Sequence, residues 1–245
     1  MMRDYKRETE ERVAFIRKVM ADAHAKALVF ANSGGKDCAL VGILCKMACE
    51  DTLSIMMPCH SKRNYGEDID DAVALCKQFD IDYVTVDLTP VREAFMTAIG
   101  LTGQEITAEA ASNIAPRMRM TVDYAIAQSR GALVAGTGNR SETYVGYFTK
   151  WGDGAYDFNP IYDLTVGEVY EFLDYLQAPE NIRTKAPSAG LYEGQTDEGQ
   201  LGVTYTQIDE VILTGTTEDA AALERIQRYH RVTEHKRNHP PRYGV

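Results

Sequence analysis

The residues best suited to chemistry lie in one short segment, Ser33-Gly34-Gly35-Lys36-Asp37-Cys38. It follows an apolar run of strand length, residues 27–31, and precedes apolar residues at helical spacing. Paired glycines let successive backbone N–H groups point into one concavity, and a helix N-terminus adds partial positive charge. The segment therefore indicates a phosphate-binding loop. It lacks the Walker A pattern G-x-x-x-x-G-K-[ST], and a tight turn capped by Asp37 is the alternative.

A second glycine-containing loop, residues 136–139, follows the apolar run 132–135 and leads to Glu142. Asp37 and Glu142 thus lie on two loops that each follow a predicted strand. Carboxylate oxygens are the ligands that Mg²⁺ on ATP phosphates requires. Either acid alone is better explained as a helix cap or a surface residue, but their joint placement favours a metal site.

The elements that position these loops alternate along the chain. We predict strands at 27–31, 53–57, 83–86 and 132–135, and helices at 38–49, 68–79, 90–99 and 117–129. This order predicts an α/β fold, a doubly wound parallel sheet with helices on both faces. Ligands of such sheets bind beyond the carboxyl ends of the strands, where both loops are expected.

The remainder of the chain is less regular, and we treat residues 1–245 as a single domain. Residues 158–162 look like a strand, and Thr165 with Glu168 forms a capping box for a helix over 166–176. The glycine-rich acidic segment 185–202 shows little periodicity. A loop of that length is a lid, a binding loop or disordered.

Composition excludes several classes of protein. The chain has 26 Lys and Arg against 36 Asp and Glu, a net charge of −10, which disfavours a nucleic-acid surface. We find neither a signal peptide nor an apolar run that could span a membrane, and we expect a cytoplasmic protein. The five cysteines form no C-x-x-C pair, and His230, His235 and His239 lack supporting ligands, so we expect no zinc site.

The pattern S-G-G-x-D-[S/C] after a first strand resembles the pyrophosphate-binding loop of the N-type ATP pyrophosphatases. That superfamily includes GMP synthetase, argininosuccinate synthetase, tRNA-thiolating enzymes and NAD synthetase. The resemblance implies that the loop holds the pyrophosphate that leaves ATP. It also implies a fold like that of the adenine nucleotide alpha-hydrolases.

Four further segments resemble NAD synthetase in particular. They are residues 113–120 (NIAPRMRM), 136–142 (GTGNRSE), 146–154 (GYFTKWGDG) and 187–202 (PSAGLYEGQTDEGQLG). The tail His235-Lys236-Arg237 is also similar. The matches keep their order from residue 27 to 237, so the resemblance covers nearly the whole chain.

The resemblance implies a set of site residues. Asp37 and Glu142 would bind Mg²⁺. The residues implied for ATP are Ser33, Gly34, Gly35, Lys36, Asp37, Cys38, Thr137 and Ser188. Those implied for deamido-NAD are Arg117, Lys150, Asp157, His235 and Lys236. Arg117 and Arg119 are two apart on a predicted helix and cannot face the same way, and we assign Arg117 to the dinucleotide.

Two positions depart from the family pattern. Cys38 stands where the family commonly has serine, and Val166 stands where many members place a lysine on ATP. Lys36 and Lys185 are candidates to supply that missing charge. The ATP side of the site is therefore the part of the resemblance with the most differences.

The resemblance implies ATP-dependent amidation of deamido-NAD to NAD through an adenylylated carboxylate, with release of AMP and pyrophosphate. Only some 26 residues precede the first predicted strand, so we expect no amidase domain and direct use of ammonia, unless a separate subunit supplies it. We also expect a homodimer. The alternatives are another N-type ATP pyrophosphatase, such as a tRNA-thiolating enzyme, and a non-catalytic adenine-nucleotide-binding module.

Overall fold

The centre of the molecule is a parallel four-stranded sheet. The structure is a computed structural model that describes residues 3–60, 65–185 and 196–244. The strands are β1 (Ala27–Ala31), β2 (Thr52–Met56), β3 (Asp82–Thr85) and β4 (Ala132–Val134), in the spatial order β3-β2-β1-β4. Val29 of β1 is in register with Leu53 on one side and Val134 on the other.

Helices connect and surround these strands. In the first half they are α1 (Tyr5–Asp22), α2 (Lys36–Ala48), α3 (Glu67–Gln78), α4 (Thr89–Gly100), α5 (Ala108–Ser112) and α6 (Ile114–Arg130). In the second half they are α7 (Arg140–Val145), α8 (Val166–Tyr175), α9 (Glu180–Thr184), α10 (Asp197–Leu201), α11 (Tyr205–Thr214), α12 (Ala220–Val232) and α13 (Glu234–Arg237).

Side chains alternate between the two faces of the sheet, and each face is covered by helices. Leu28 and Phe30 of β1 pack in one buried cluster with residues of α1, α2, α3 and α8. Val29, between them, packs in a second cluster with residues of α6. A strand buried on both faces reads as a continuous apolar run, as residues 27–31 do. The predicted α/β class, a parallel sheet with helices on both faces, is confirmed.

A third buried cluster joins the C-terminal helices. It includes Val145 of α7, Val166 of α8, Ile208 of α11 and Ile226 of α12. This cluster fixes α7 and α8 beside the carboxyl end of β4. No helix in the described ranges is both long enough and apolar enough to cross a membrane.

The structure differs from the predicted elements in three places. Residues 158–162 form no strand, because only Phe158 pairs with the sheet, in a single bridge to Ala135, and a turn follows. The segment 185–202 contains α10 within its described part. Helices α1, α5, α7, α9 and α11–α13 were not predicted. Helices α1 and α12 are rich in charged residues, and α5, α7, α9 and α13 are only four to six residues long.

Candidate active site

The two loops singled out in the sequence meet at one edge of the sheet. Residues 32–35 follow β1 and residues 135–139 follow β4, and these strands are neighbours. The chain runs from β1 to β2 on one side and returns to β4 on the other, so the loops diverge at a topological switch point. A cavity of about 650 Å³ opens there and is lined by both loops.

The loop after β1 is shaped by its first glycine. Gly34 has φ +72°, a left-handed conformation that favours glycine, and a Cβ there would overlap the carbonyl oxygen of Asp68 on α3. The Asn32 side chain accepts a hydrogen bond of 3.0 Å from the Gly34 N–H. The loop is thus held by its own residues and by α3, and it leads directly into the N-terminus of α2.

The side-chain ammonium group of Lys36 lies close to both predicted metal ligands. Lys36 Nζ lies 2.7 Å from Asp37 Oδ2 and 3.9 Å from Glu142 Oε1. Asn139 connects the loops, since its Nδ2 donates to Asp37 Oδ1 at 3.0 Å while its Oδ1 accepts from the Glu142 N–H at 2.9 Å. Asn139 and Glu142 form the capping box of α7. The structure therefore brings Asp37 and Glu142 together.

Burial shifts the pKa values of the charged groups in this centre. Burial and the charge of Asp37 raise the pKa of Glu142 well above its ordinary value, although Lys36 opposes the shift. Burial works against the Lys36 ammonium, but the carboxylates of Asp37 and Glu142 outweigh it and raise its pKa. Two close carboxylates with one lysine favour a further cation.

Two aromatic rings lie near Lys36, and one of them is hydrogen-bonded to a third acid. Its Nζ lies 5.9 Å from the ring centre of Tyr170 and 5.6 Å from that of Tyr205. The Tyr205 hydroxyl donates to Asp197 Oδ2 at 3.1 Å, and Asp197 is only 3% exposed. Val166, one turn before Tyr170 on α8, is buried in the third cluster. Lys36 therefore places its charge beside α8.

Lys185, the other candidate for that charge, is engaged elsewhere. Its Nζ lies 2.8 Å from Asp68 Oδ1 and 2.6 Å from Asp71 Oδ2, both on α3. Asp71 also accepts a hydrogen bond from Asn181. Lys185 lines the cavity, as does Asp68, so the ion pair borders the phosphate loop.

Cys38 lies at the first turn of α2, inside the loop. Its Sγ is 3.3 Å from Ser33 Oγ, and the residue is 7% exposed. Burial raises the pKa of its thiol, so it is a neutral group rather than a nucleophilic thiolate. The Cys38 side chain offers only sulfur to a ligand. Ser33 and Thr137, which also line the cavity, each provide a hydroxyl group.

The two arginines of α6 face different ways, as predicted, and it is Arg119 that lines the cavity. Its Nε donates to the Met57 carbonyl at 3.1 Å, and burial lowers its pKa. Arg117 is exposed, and its Nη1 is 3.5 Å from the Asn113 carbonyl. A contact of Arg117 with the dinucleotide remains a prediction, one that requires a ligand extending beyond the cavity.

The other residues implied for the dinucleotide are spread over two places. Lys150 Nζ donates to the His235 carbonyl at 2.5 Å, and Lys236 Nζ donates to the Gly146 carbonyl at 2.8 Å. These three form one group, of which Lys236 lines the cavity. Asp157 lies apart from them, where its carboxylate accepts from the Val134 N–H at 2.8 Å and from the Tyr124 hydroxyl at 3.2 Å.

Two of the sequence predictions remain, the ATP contact of Ser188 and the absence of a metal site at the C-terminal histidines. Ser188 lies outside the described residues. His230 Nδ1 donates to the Tyr144 carbonyl, 2.9 Å away, and the imidazole stacks on the Tyr144 ring. Across residues 3–60, 65–185 and 196–244, no group of three or more His, Cys, Asp or Glu side chains could hold a metal ion by itself.

Sequence reasoning gave no role to several residues of the site. Asn139 could have been found, because N-x-x-E before a helix is a capping-box pattern. Asp197 and Tyr205 reach the centre only through the packing of α10 and α11, and Asp68 only through the approach of α3 to Gly34. No local pattern in the sequence predicts those contacts.

Comparisons with known proteins agree on one family. The NAD synthase family model matches residues 8–240. A protein of Carboxydothermus hydrogenoformans named NH(3)-dependent NAD(+) synthetase is 44% identical over 239 residues, 97% of either chain. An NMN synthetase structure from Francisella tularensis has TM-score 0.92 and 35% identity, covering 99% of this chain and 100% of that one. An NH3-dependent NAD synthetase structure from Campylobacter jejuni has TM-score 0.81 and 28% identity, covering 98% and 99%. The chain belongs to the NAD synthase family.

Proposed function

We propose that this chain is the ammonia-dependent ligase that amidates deamido-NAD to NAD at the expense of ATP. A curated relative with that activity in its name shares 44% of its residues over 97% of its own length. The observation that carries the proposal is the centre formed by Lys36, Asp37 and Glu142, in which two loops from neighbouring strands bring a phosphate cradle and two carboxylates together.

The carboxylates suit Mg²⁺. Asp37 and Glu142 offer hard oxygen donors, and the raised pKa of Glu142 reflects burial and a like charge that a divalent cation would relieve. Two protein ligands are what Mg²⁺ on a nucleotide needs, because phosphate oxygens and water complete its octahedral shell. When bound, the ion would neutralise charge on the phosphates as pyrophosphate leaves.

The chain's own residues would then hold the reactants in line. The backbone of residues 33–37 and the N-terminus of α2 would hold the β and γ phosphates, with Lys36, Ser33 and Thr137 as side-chain donors. The nicotinate carboxylate attacks the α-phosphorus, and the bond to pyrophosphate breaks. Ammonia next attacks the acyl carbon of the adenylate, AMP leaves, and the nitrogen loses a proton. Catalysis rests on orientation and on charge neutralisation.

The dinucleotide would bind at the other end of the cavity. Lys150, His235 and Lys236 form one basic group there, held together by hydrogen bonds to backbone carbonyls. Arg117 and Asp157 are exposed, and Asp157 lies apart from this group, so both would meet parts of the ligand that extend out of the cavity. Ser188 remains a proposed contact to ATP.

A homodimer fits the surface of the molecule. Helix α4 has no buried residue, and Val91, Phe95 and the following Leu101 are 50%, 53% and 85% exposed. Contiguous exposed apolar side chains of this size mark interaction surfaces. Because α4 contacts α6, a second copy seated on α4 would approach Arg117 and complete the dinucleotide site. We place the protein in the cytoplasm, with no membrane or nucleic-acid partner.

A second candidate substrate is the mononucleotide. The structure of an NMN synthetase superimposes with TM-score 0.92, against 0.81 for an NAD synthetase structure. Both reactions would amidate a nicotinate carboxylate with the same ATP chemistry. They differ only in whether the substrate carries a second nucleotide.

One experiment separates these possibilities. Purified protein receives ATP, Mg²⁺ and either deamido-NAD or nicotinate mononucleotide, with ammonium or glutamine as nitrogen donor, and the amide products and AMP are quantified. We expect AMP and NAD in equal amounts with deamido-NAD and ammonium. A higher kcat/KM with the mononucleotide would move the assignment to an NMN synthetase. Absence of AMP with every substrate would refute the proposal, and equal rates with glutamine would refute direct ammonia use.

A further inference from the structure

The cavity contains an acid that the reaction described above does not use. Asp123 lies on α6, is 5% exposed and lines the cavity. Its Oδ1 has no hydrogen-bond partner, and within the described ranges it is the sole buried side-chain oxygen or nitrogen in that condition. A buried carboxylate oxygen without a donor is costly, so it marks a place where a ligand can donate a hydrogen bond.

The helix turns one face towards this part of the cavity. Pro116, Arg119, Met120 and Asp123 all line it, at the three- and four-residue spacing of a single helical face. Arg119 and Asp123 are consecutive turns of that face, and the charge of Arg119 acts on Asp123. Each guanidinium has five N–H donors, of which Arg119 directs Nε–H at Met57.

Another part of the cavity wall is apolar. Ala31, Ile55 and Val134 line the cavity from β1, β2 and β4. Apolar side chains near the carboxyl ends of three adjacent strands thus share the cavity with a helix face that carries one acceptor and one set of donors. A flat heterocycle with a donor beside an acceptor matches this slot. The 6-amino group and ring nitrogens of adenine have that pattern, whereas a 6-oxopurine presents an acceptor at the same position.

The slot is continuous with the phosphate loop. Residues 31–33 and Cys38 line the same cavity as Arg119 and Asp123. Of the residues proposed for the dinucleotide, Arg117, Lys150 and Asp157 are absent from this wall. A base in the slot therefore belongs to the nucleotide whose phosphates lie on the loop.

We propose that Asp123, acting with Arg119, accepts a hydrogen bond from the 6-amino group of the ATP adenine and makes the enzyme select a 6-aminopurine over a 6-oxopurine. This inference rests on the proposed use of ATP and names a residue that determines specificity. A site built to hydrogen-bond a group discriminates strongly against the analogue that lacks it, because its buried acceptor is then left unpaired.

The test compares ATP, ITP and purine riboside triphosphate with wild type and Asp123→Asn. ITP has oxygen in place of the amino group, and the purine analogue has hydrogen there. Asparagine keeps the shape but offers both a donor and an acceptor, so it accommodates either base. We expect the ratio of kcat/KM for ATP to that for ITP to fall by about tenfold to a hundredfold, mainly through a higher KM for ATP. Asp123→Ser removes the carboxylate without adding an amide and should shift the ratio in the same direction.

The control removes a carboxylate elsewhere. Asp80→Asn changes an exposed acid after α3, at a left-handed position (φ +54°) that asparagine tolerates, and should leave the ratio unaltered. Thermal unfolding of each variant checks that it is folded. An ATP-to-ITP ratio equal to that of wild type in both folded Asp123 variants would overturn the proposal. A rise in KM confined to deamido-NAD would also overturn it, since the contact would then belong to the dinucleotide.

Binding is measured independently of turnover. The α,β-methylene analogue of ATP cannot be cleaved at the bond that the enzyme breaks, so calorimetry with it reports recognition alone. Weaker binding to Asp123→Asn than to Asp80→Asn supports the adenine contact even where no NAD is formed, in which case only the proposed function fails. Equal binding by the two variants refutes the contact while leaving amidation intact.

Discussion

At the scale of single residues, Lys36 is the group that compensates the negative charge of the two carboxylates at the site. It is 6% exposed and bridges Asp37 and Glu142, so it compensates two carboxylates that would otherwise repel. Its position beside Tyr170 also puts a cation next to α8, one turn from Val166.

Lys36→Met is therefore expected to harm both stability and ATP binding. Breaking a buried ion pair leaves uncompensated charge and costs about 3–5 kcal/mol of unfolding free energy. We expect a loss of that order in urea titrations and a KM for ATP raised about tenfold or more. Lys77→Met, an exposed lysine on α3, serves as control. Stability and KM both equal to those of the control would contradict the role given to Lys36.

Glu142→Gln tests the metal proposal. The amide keeps the shape but loses the negative charge, so Mg²⁺ should bind more weakly and activity should fall about a hundredfold. The decisive measurement is the Mg²⁺ concentration that gives half-maximal rate, which should rise in this variant and stay constant in Glu224→Gln, an exposed acid on α12. An unaltered Mg²⁺ dependence would show that Glu142 does not act through the ion.

Asp123 should make stability depend on pH. Burial raises the pKa of its carboxyl to about 7, against the opposing charge of Arg119. The folded protein therefore binds more protons than the unfolded chain between about pH 4 and about pH 7, and its stability falls as pH rises through that window. Relative to Asp123→Asn, wild type should lose up to about 4 kcal/mol by pH 7 and lose no more above it. Urea titrations of both proteins across the range measure this, and a constant difference would contradict it.

At the scale of elements, the phosphate loop and α3 are fitted to each other. Gly34 is left-handed, and any side chain there would meet the backbone of Asp68. Asp68 and its neighbour Asp71 in turn hold Lys185. The approach of α3 thus constrains the loop from outside, while Asn32 constrains it from within.

Gly34→Ala separates this contact from ordinary backbone strain. Gly215 also has positive φ (+85°), but a Cβ there meets open space. Alanine at Gly215 should cost about 1 kcal/mol of unfolding free energy for the left-handed backbone alone. Gly34→Ala should cost more and should also weaken ATP binding, because the loop or α3 must shift. Equal losses of stability in the two variants, with ATP binding intact, would show that α3 does not constrain the loop.

The strands and the loops after them could be predicted from the sequence because their signals are local. Apolar runs of four or five residues bounded by glycine or polar residues placed β1 to β4 within about one residue. The strand predicted at residues 158–162 is wrong, because a turn follows Phe158. In that turn the Asn159 side chain accepts a hydrogen bond from the Ile161 N–H. The Lys185 pair with α3 joins residues more than a hundred positions apart, which no pattern in one sequence reveals.

The choice between Arg117 and Arg119 shows a similar limit. Helical spacing established that only one of them could face the cavity, but the face itself depends on how α6 rotates against β1 and β4. In the structure Arg119 faces the cavity, and Arg117 is exposed. The resemblance to a family identifies candidate residues, but the packing of the helix determines which of them face the cavity.

At the scale of the whole molecule, the exposed face of α4 makes a prediction about assembly. Phe95→Glu places a charge among apolar side chains that we expect to be covered by a second copy. Sedimentation should then show a monomer where wild type is a dimer, and the KM for deamido-NAD should rise. Leu213→Glu on α11 introduces the same charge at an exposed leucine elsewhere (60% exposed) and should leave the dimer intact. A monomeric wild type would refute the dimer directly.

The pairing of β1 with β4 has a consequence for how the protein is made. Asn139 must reach back across 102 positions to Asp37, so the nucleotide centre has the long-range connectivity that slows folding. During synthesis at about 5–20 residues per second, the first loop would emerge several seconds before its partner. Until β4 docks, the nascent chain would carry a glycine loop with no second carboxylate, and nucleotide could not yet assist its folding. Nucleotide binding would therefore report that the two halves of the sheet have joined.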